Sequence, residues 1–263
     1  MSKLFIMAGT KGGIGKTLVA TLFADAATDF GYRTVLFDCD DENHSFCNAM
    51  KTRTVKEQIL DEVVLEVNTE NDFPLDKVMN KIIAVESDKK QYPGDNIYII
   101  DLKAGSTSKM LDWMQAFPFD LLHMKNLKVN VIGVVTNDPD SVTTYIPWFK
   151  TFKPYIEEKK LEIITILNEV DGKSMQQFHA TLEPYLVKNF PDSPVIILQN
   201  LSRNYLTLFR ELNTSYGRIG KEKEIDLSKL GWMGIIRCQN EFKVIKEHLA
   251  PIFEMNSGTG DKK

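Results

Sequence analysis

Gly9-Thr10-Lys11-Gly12-Gly13-Ile14-Gly15-Lys16-Thr17 follows the apolar run Leu4–Ala8 and precedes a helix-like run from about Lys16 to Phe30. A strand, a glycine-rich turn and a helix in that order are the context a phosphate-binding loop requires. Glycines let the backbone turn sharply and bring its N–H groups against phosphate oxygens, where a Cβ would obstruct. The helix that follows offers unpaired N–H groups and a positive dipole end to the same anion. In such a P-loop Lys16 reaches the β- and γ-phosphates and the Thr17 hydroxyl ligates Mg²⁺, so ATP or ADP with Mg²⁺ is the expected ligand. Backbone donors from Gly12, Gly13, Ile14, Gly15, Lys16, Thr17 and Leu18 complete the expected cradle.

Working outward, strand-length apolar runs recur at Thr34–Phe37, Ile97–Ile100, Val129–Val135, Leu161–Leu167 and Val195–Leu198. Pro74–Val85, Asp140–Phe152, Ser174–Val187 and Leu227–Leu249 carry apolar residues at helical spacing between or after them. That alternation predicts an α/β fold: a doubly wound, mostly parallel sheet of about seven strands with helices on both faces. Lys51–Asp72 is acidic, and its Val63-Val64-Leu65-Glu66-Val67 stretch could add an edge strand. Neither a repeat nor a long linker interrupts the pattern, so residues 1–255 read as one P-loop domain and 256–263 as a disordered polar tail.

Composition bounds the function classes. The chain has 263 residues, 43% of them hydrophobic and 26% charged, with a net charge of −4, which argues against a surface coated in nucleic acid. Cys39, Cys47 and Cys238 are odd in number and lack metal-site spacing, as expected in a reducing cytosol. The start Met-Ser-Lys shows no cleavable signal pattern, and no apolar run approaches the roughly 20 residues of a membrane span. A soluble, cytoplasmic protein is expected.

Ligands of open α/β sheets bind outside the carboxyl ends of the strands, which gives weight to Asp38-Cys39-Asp40 and to Asp101. Carboxylates there can hold the metal's outer shell or polarise water near the γ-phosphate. Asp-rich strand ends also serve as ordinary turns and caps.

Lys11-Gly12-Gly13-Ile14-Gly15-Lys16-Thr17 resembles the deviant Walker A motif of the ParA/MinD ATPases, which carry a second lysine at the start of the loop. The resemblance implies an ATP-sandwich homodimer in which Lys11 contacts the phosphates bound by the opposite subunit. It also implies slow ATP hydrolysis, with Asp40 orienting the attacking water and Asp38 near the Mg²⁺ shell. Asn43 matches a polar position of that switch loop; Asp41 stands where proline is usual and competes with Asp40 for the catalytic role. Tyr98-Ile99-Ile100-Asp101-Leu102-Lys103-Ala104-Gly105 resembles the family's Walker B and second switch. Asp101 is then on the magnesium side and Gly105 offers an N–H to the γ-phosphate, although Lys103 departs from the usual proline or small residue. Asn168 occupies the place where the family holds adenine; a capping or buried asparagine is the plain alternative.

Within the family, Asp38–Phe46 and the Asn168…Gly172-Lys173 stretch look most like the TraL and StbB proteins of conjugative plasmids, implicated in transfer and stable inheritance. The resemblance implies positioning or segregation of plasmid DNA or of a protein complex, with a protein activator or cargo adaptor and a nucleoid or cell-pole location. Non-specific DNA contact would use Arg203–Lys246, where nine Lys or Arg face five Asp or Glu. No cysteine arrangement fits an iron–sulfur carrier. The Phe242, Ile245 and Leu249 stripe reads as core packing rather than a MinD-like lipid helix. A P-loop synthetase of the dethiobiotin synthetase type is the alternative from another class, and Lys11 argues against it.

Overall fold

The computed structural model describes residues 1–9, 11–40, 44–50, 63–64, 75–105, 107–116, 119–169, 175–198, 201–221 and 226–254. Seven parallel strands form one sheet in the order β3-β2-β4-β1-β5-β6-β7. They are β1 (Ser2–Ala8), β2 (Arg33–Cys39), β3 (Val63–Val64), β4 (Asn96–Leu102), β5 (Leu127–Val135), β6 (Leu161–Asn168) and β7 (Val195–Leu198). Every residue of β1 is buried, because the strand lies mid-sheet with β4 on one side and β5 on the other. The strand order reverses at β1, so the crevice outside its carboxyl end is the ligand position of a doubly wound sheet.

Side chains alternate between two cores with the strand period of two. Leu4, Ile6 and Ala8 of β1 enter one core, and Phe5 and Met7 enter the other. The first core is covered by α3 (Asp76–Ser87), α4 (Thr107–Ala116), α5 (Phe119–Met124), α6 (Pro139–Thr143), α7 (Ile146–Glu157) and α8 (Glu183–Asn189). The second is covered by α1 (Lys16–Asp29), α2 (Ser45–Met50), α9 (Arg203–Glu211) and α10 (Gly231–Glu254).

Two expected elements are redrawn at prolines, and a third is shifted at both ends. Asp140–Phe152 is not one helix: α6 ends at Thr143, and Pro147 opens α7, having no N–H to continue a preceding turn. The Ser174–Val187 run contains a π turn over Phe178–Leu182 just before α8, whose first turn holds Pro184. The last helix starts at Gly231 rather than Leu227 and passes through Pro251 to Glu254. Val63 and Val64 do pair with Phe37 and Asp38 as an edge strand. The rest of that acidic stretch, Asp41, Asn43 and the 256–263 tail lie outside the described residues.

Candidate functional site

Residue register brings three strand ends together. Met7 pairs with Asp101, and Asp38 pairs with the same Asp101, so both carboxylates stand at the sheet edge where the loop after β1 begins. The loop turns through Gly13 (φ 78°) and Gly15 (φ 96°), conformations that side-chain-bearing residues rarely adopt. Gly15 caps α1 with no side-chain hydrogen bond, which leaves the first N–H groups of the helix directed out of its end. These are the features an anion needs.

Lys16 lies inside this cradle, 7% exposed, with its ammonium donating to the Lys11 carbonyl at 3.3 Å. Burial lowers its pKa, opposed by Asp101 and Asp40. Thr17 Oγ1 donates to Asp101 Oδ2 at 2.7 Å, while Asp101 Oδ1 is buried with no partner among the described residues. Burial pushes the Asp101 carboxyl up to about 7, against the pull of the Thr17 hydrogen bond and of Lys16. A threonine hydroxyl beside a buried carboxylate with one oxygen unpartnered among the described residues is a donor set that would hold a hydrated Mg²⁺.

Asp38 plays a backbone role. Its Oδ1 accepts the Asp40 N–H at 3.0 Å and its Oδ2 accepts the Cys47 N–H at 2.8 Å, which fastens the start of α2 to the end of β2. Burial raises its pKa while these two donors lower it. Asp40 lines the cleft alongside Lys16 and Thr17. After β4, Ala104 approaches the loop: a Cβ on Gly12 would stand 3.7 Å from that of Ala104. Gly105 adopts the left-handed φ of 80°, and Ala104, not Gly105, lines the cleft.

Asn168 is a brace for the loop. Its amide Nδ2 donates to the Ile14 carbonyl at 2.9 Å, and a Cβ on Gly15 would come within 2.4 Å of that nitrogen. Ile14 itself is 3% exposed and packs in the core below. Leu18 and Asn168 both line the cleft, about 770 Å³ in volume.

Lys11 is placed differently from Lys16. Its ammonium is exposed and pairs with Asp138, with Asp140 at 3.9 Å. The hydrogen bond to Asp138 raises the Lys11 pKa and lowers that of Asp138. Asp138 was not singled out from the sequence; the Asp-Pro step after β5 is the capping signal that could have found it. The far wall of the cleft, from Leu201 and Leu206 to Asn213–Tyr216, was also missed, because it carries no motif.

The basic C-terminal region is corrected at Arg218. That residue is 3% exposed, and its Nη1 donates to the Ala49 carbonyl of α2 at 2.7 Å, so it cannot belong to a surface. Lys221 and Lys246 both reach Asp29, and Lys229 reaches Glu211. Among the described residues no helix is long and apolar enough to cross a membrane.

Comparison with known proteins follows the geometry. Residues 5–186 match the CobQ/CobB/MinD/ParA nucleotide binding domain. Among curated proteins none matches. A similar solved structure is the septum site-determining protein MinD complexed with Mg-ADP from Pyrococcus horikoshii, 14% identical over all of both chains with a TM-score of 0.57. The pNOB8 ParA structure is 13% identical over 98% of this chain and 100% of its own, also with a TM-score of 0.57. An ATP complex of Cyanothece McdA is 14% identical over 95% and 96%, with a TM-score of 0.51. At these identities the solved structures speak for the fold, while the family model spans well over half of the sequence. The chain belongs to the CobQ/CobB/MinD/ParA family of nucleotide-binding domains.

Proposed function

We propose that the chain is a Mg²⁺-dependent ATPase that closes into an ATP-sandwich homodimer and opens again on slow hydrolysis, acting to position or segregate cargo. The observation that carries this reading is the division between two lysines of one loop. Lys16 is buried in the cradle, whereas Lys11 stands exposed on its rim, paired among the described residues with the surface carboxylates of Asp138 and Asp140. An exposed lysine on the rim, beside a buried one in the cradle, supports a role for Lys11 across an interface.

The α1 N-terminus and the Lys16 ammonium bind the triphosphate; Mg²⁺, when bound, neutralises charge between phosphate oxygens. Asp40, at the cleft wall, orients the attacking water and accepts its hydrogen bond. Asp38 keeps that loop in place through the Asp40 and Cys47 N–H groups. With Lys11 in trans only a partial substitute for an arginine finger, a slow rate is expected. Plasmid DNA, or a protein complex of plasmid transfer and maintenance, is the proposed cargo, with a separate protein activator and a cytoplasmic, nucleoid- or pole-associated site of action.

The test is a pull-down with Asp40→Ala protein loaded with ATP. DNA or one partner protein retained only in the ATP state supports the reading. ATP consumed together with a carboxylated or amidated small molecule, by a chain that stays monomeric, replaces it with the synthetase alternative. Retention on lipid vesicles alone points to a membrane-associated positioning ATPase of the MinD type.

A further inference from the structure

One edge of the sheet is β7, which among the described residues pairs with β6 alone. Its residues are Val195-Ile196-Ile197-Leu198, with no charge among them. Ile196 and Leu198 face the second core. Val195 and Ile197 face the other side and stay 42% and 46% exposed. Leu167, in register with Ile197 on β6, is buried in the first core, so that core ends one strand short of the sheet edge. Helix α8 lies on the same side; it buries Leu186 in the first core and leaves Val187 68% exposed.

The backbone of the strand shows which groups point outward. The Pro194 carbonyl accepts the Thr165 N–H at 2.8 Å, and the Leu198 carbonyl accepts the Glu169 N–H at 3.3 Å. The even-numbered residues thus turn their backbone groups towards β6, and with a period of two Val195 and Ile197 turn theirs out of the sheet. Pro194 does not guard this edge, because its missing N–H falls on the inner side. Native proteins blunt a free edge with lysine, proline or another charge at such positions. Both outward positions of β7 are aliphatic instead.

We propose that β7 pairs with β7 of a second copy of this chain, antiparallel about a two-fold axis that passes through Ile196 perpendicular to the sheet. That register sets Val195 opposite Ile197 of the second copy, twice, and both pairs exchange N–H···O bonds through their outward backbone groups. The four side chains meet on the exposed face as one apolar cluster, with α8 and Val187 of each copy on that same face to flank it. A foreign strand would satisfy the backbone but would bring no helix to that face, which favours a second copy. Val187, Val195 and Ile197 lie outside the lining of the nucleotide cleft, so the contact requires neither ATP nor Lys11. One four-residue strand from each copy makes a small interface, and the association is weak, with a dissociation constant on the order of 0.1 mM.

The experiment is sedimentation equilibrium of the full chain without nucleotide, up to about 0.5 mM protein, where the weight-average mass is expected to rise towards that of a dimer. Ile197→Glu should raise the dissociation constant at least about tenfold while leaving the melting temperature unchanged, and Val195→Lys should do the same. Together the two changes put opposite charges face to face twice in this register, so the double variant should regain association, now weakened by salt. Should the strand variants melt early, Val187→Lys on α8 is read in their place, with a several-fold loss expected. A chain that stays monomeric throughout overturns the proposal and leaves the edge to a strand of another protein. Association that survives Ile197→Glu, or a double variant no better than the single ones, overturns it too. Association seen only with ATP overturns the edge contact and leaves the ATP-sandwich reading standing.

Discussion

Lys11 is tied to Asp138, the residue whose other carboxylate oxygen accepts the Asp140 N–H at 2.9 Å and caps helix α6. One side chain thus holds both the start of a helix and the lysine proposed to act across a dimer. The loop after β5 and the loop after β1 are coupled within one chain in the absence of a partner.

To reach phosphates in a second subunit, Lys11 has to leave Asp138. Asp138→Asn keeps a good cap, because asparagine accepts the same N–H, and removes the charge that detains Lys11. The variant is expected to dimerise at ATP concentrations a few-fold lower than the parent, with the ATP affinity of the monomer unchanged. Light scattering against ATP concentration measures this. A variant that needs more ATP to dimerise would mean that Asp138 supports the dimer and does not restrain it.

Asn168 gives a second test, on the loop itself. Asn168→Ala leaves the buried Ile14 carbonyl without its donor, at a cost of about 1–3 kcal/mol. Part of that loss falls on the loop's ordering, so ATP affinity measured by calorimetry is expected to drop about tenfold. Gly15→Ala should be worse, since it combines a left-handed φ of 96° with the close approach to Asn168. Adding Asn168→Ala to Gly15→Ala removes the crowding but not the backbone strain, and binding should stay lost. Recovery of binding in the double variant would show that the contact, not the φ, dictates glycine there.

The elements around β1 were legible in the sequence because buried parallel strands read as continuous apolar runs, and a glycine loop between strand and helix has few other meanings. Lys16, Thr17 and Asp101 could be placed for that reason. Short helices such as α2 and α5, six residues each, were not, since so few residues cannot display a 3.6-residue period. Arg218 shows the limit most clearly. In a one-dimensional count it adds a positive charge to a basic region, whereas in the fold it is an interior strut between the Tyr216–Arg218 turn and α2.

Lys3 yields a pH prediction. It is 4% exposed, and its ammonium donates to the Ile252 and Phe253 carbonyls at 2.7 and 2.6 Å, tying the end of α10 to β1. Burial, helped by Lys128, lowers its pKa to about 8 against Glu162 and Asp95. An unfolded lysine titrates near 10.4, so between these values the unfolded state binds more protons than the folded one. Stability from this group is therefore lowest below about pH 8 and rises from there towards about 10.4. Denaturant unfolding of the parent and of Lys3→Met should show the parent gaining relative to the variant across that window. A difference that is flat with pH would mean the Lys3 amine keeps an ordinary pKa in the fold.

DNA contact supplies the last prediction, with the residues chosen by the structure. The surface worth testing centres on Asp29, where Lys221 (2.7 Å) and Lys246 (3.1 Å) share one carboxylate, so that positive charge is left over. Lys243, exposed and one turn from Lys246 on α10, extends the cluster. The ATP-bound protein is expected to retard non-specific duplex at low salt, with an affinity that falls steeply as salt is added. Lys221, Lys243 and Lys246 changed together to Glu should abolish that shift while leaving ATP binding intact. Changing them to Gln should lower the log–log salt slope by about two to three, one phosphate contact each. Arg218→Ala belongs to a different class: it strips the donor from the Ala49 carbonyl and should lower the melting temperature whether or not DNA is present. If the ATP-bound chain ignores duplex at low salt, or the Glu variant binds as well as the parent, DNA is not the matrix. A protein scaffold would then be the surface on which the proposed ATPase acts.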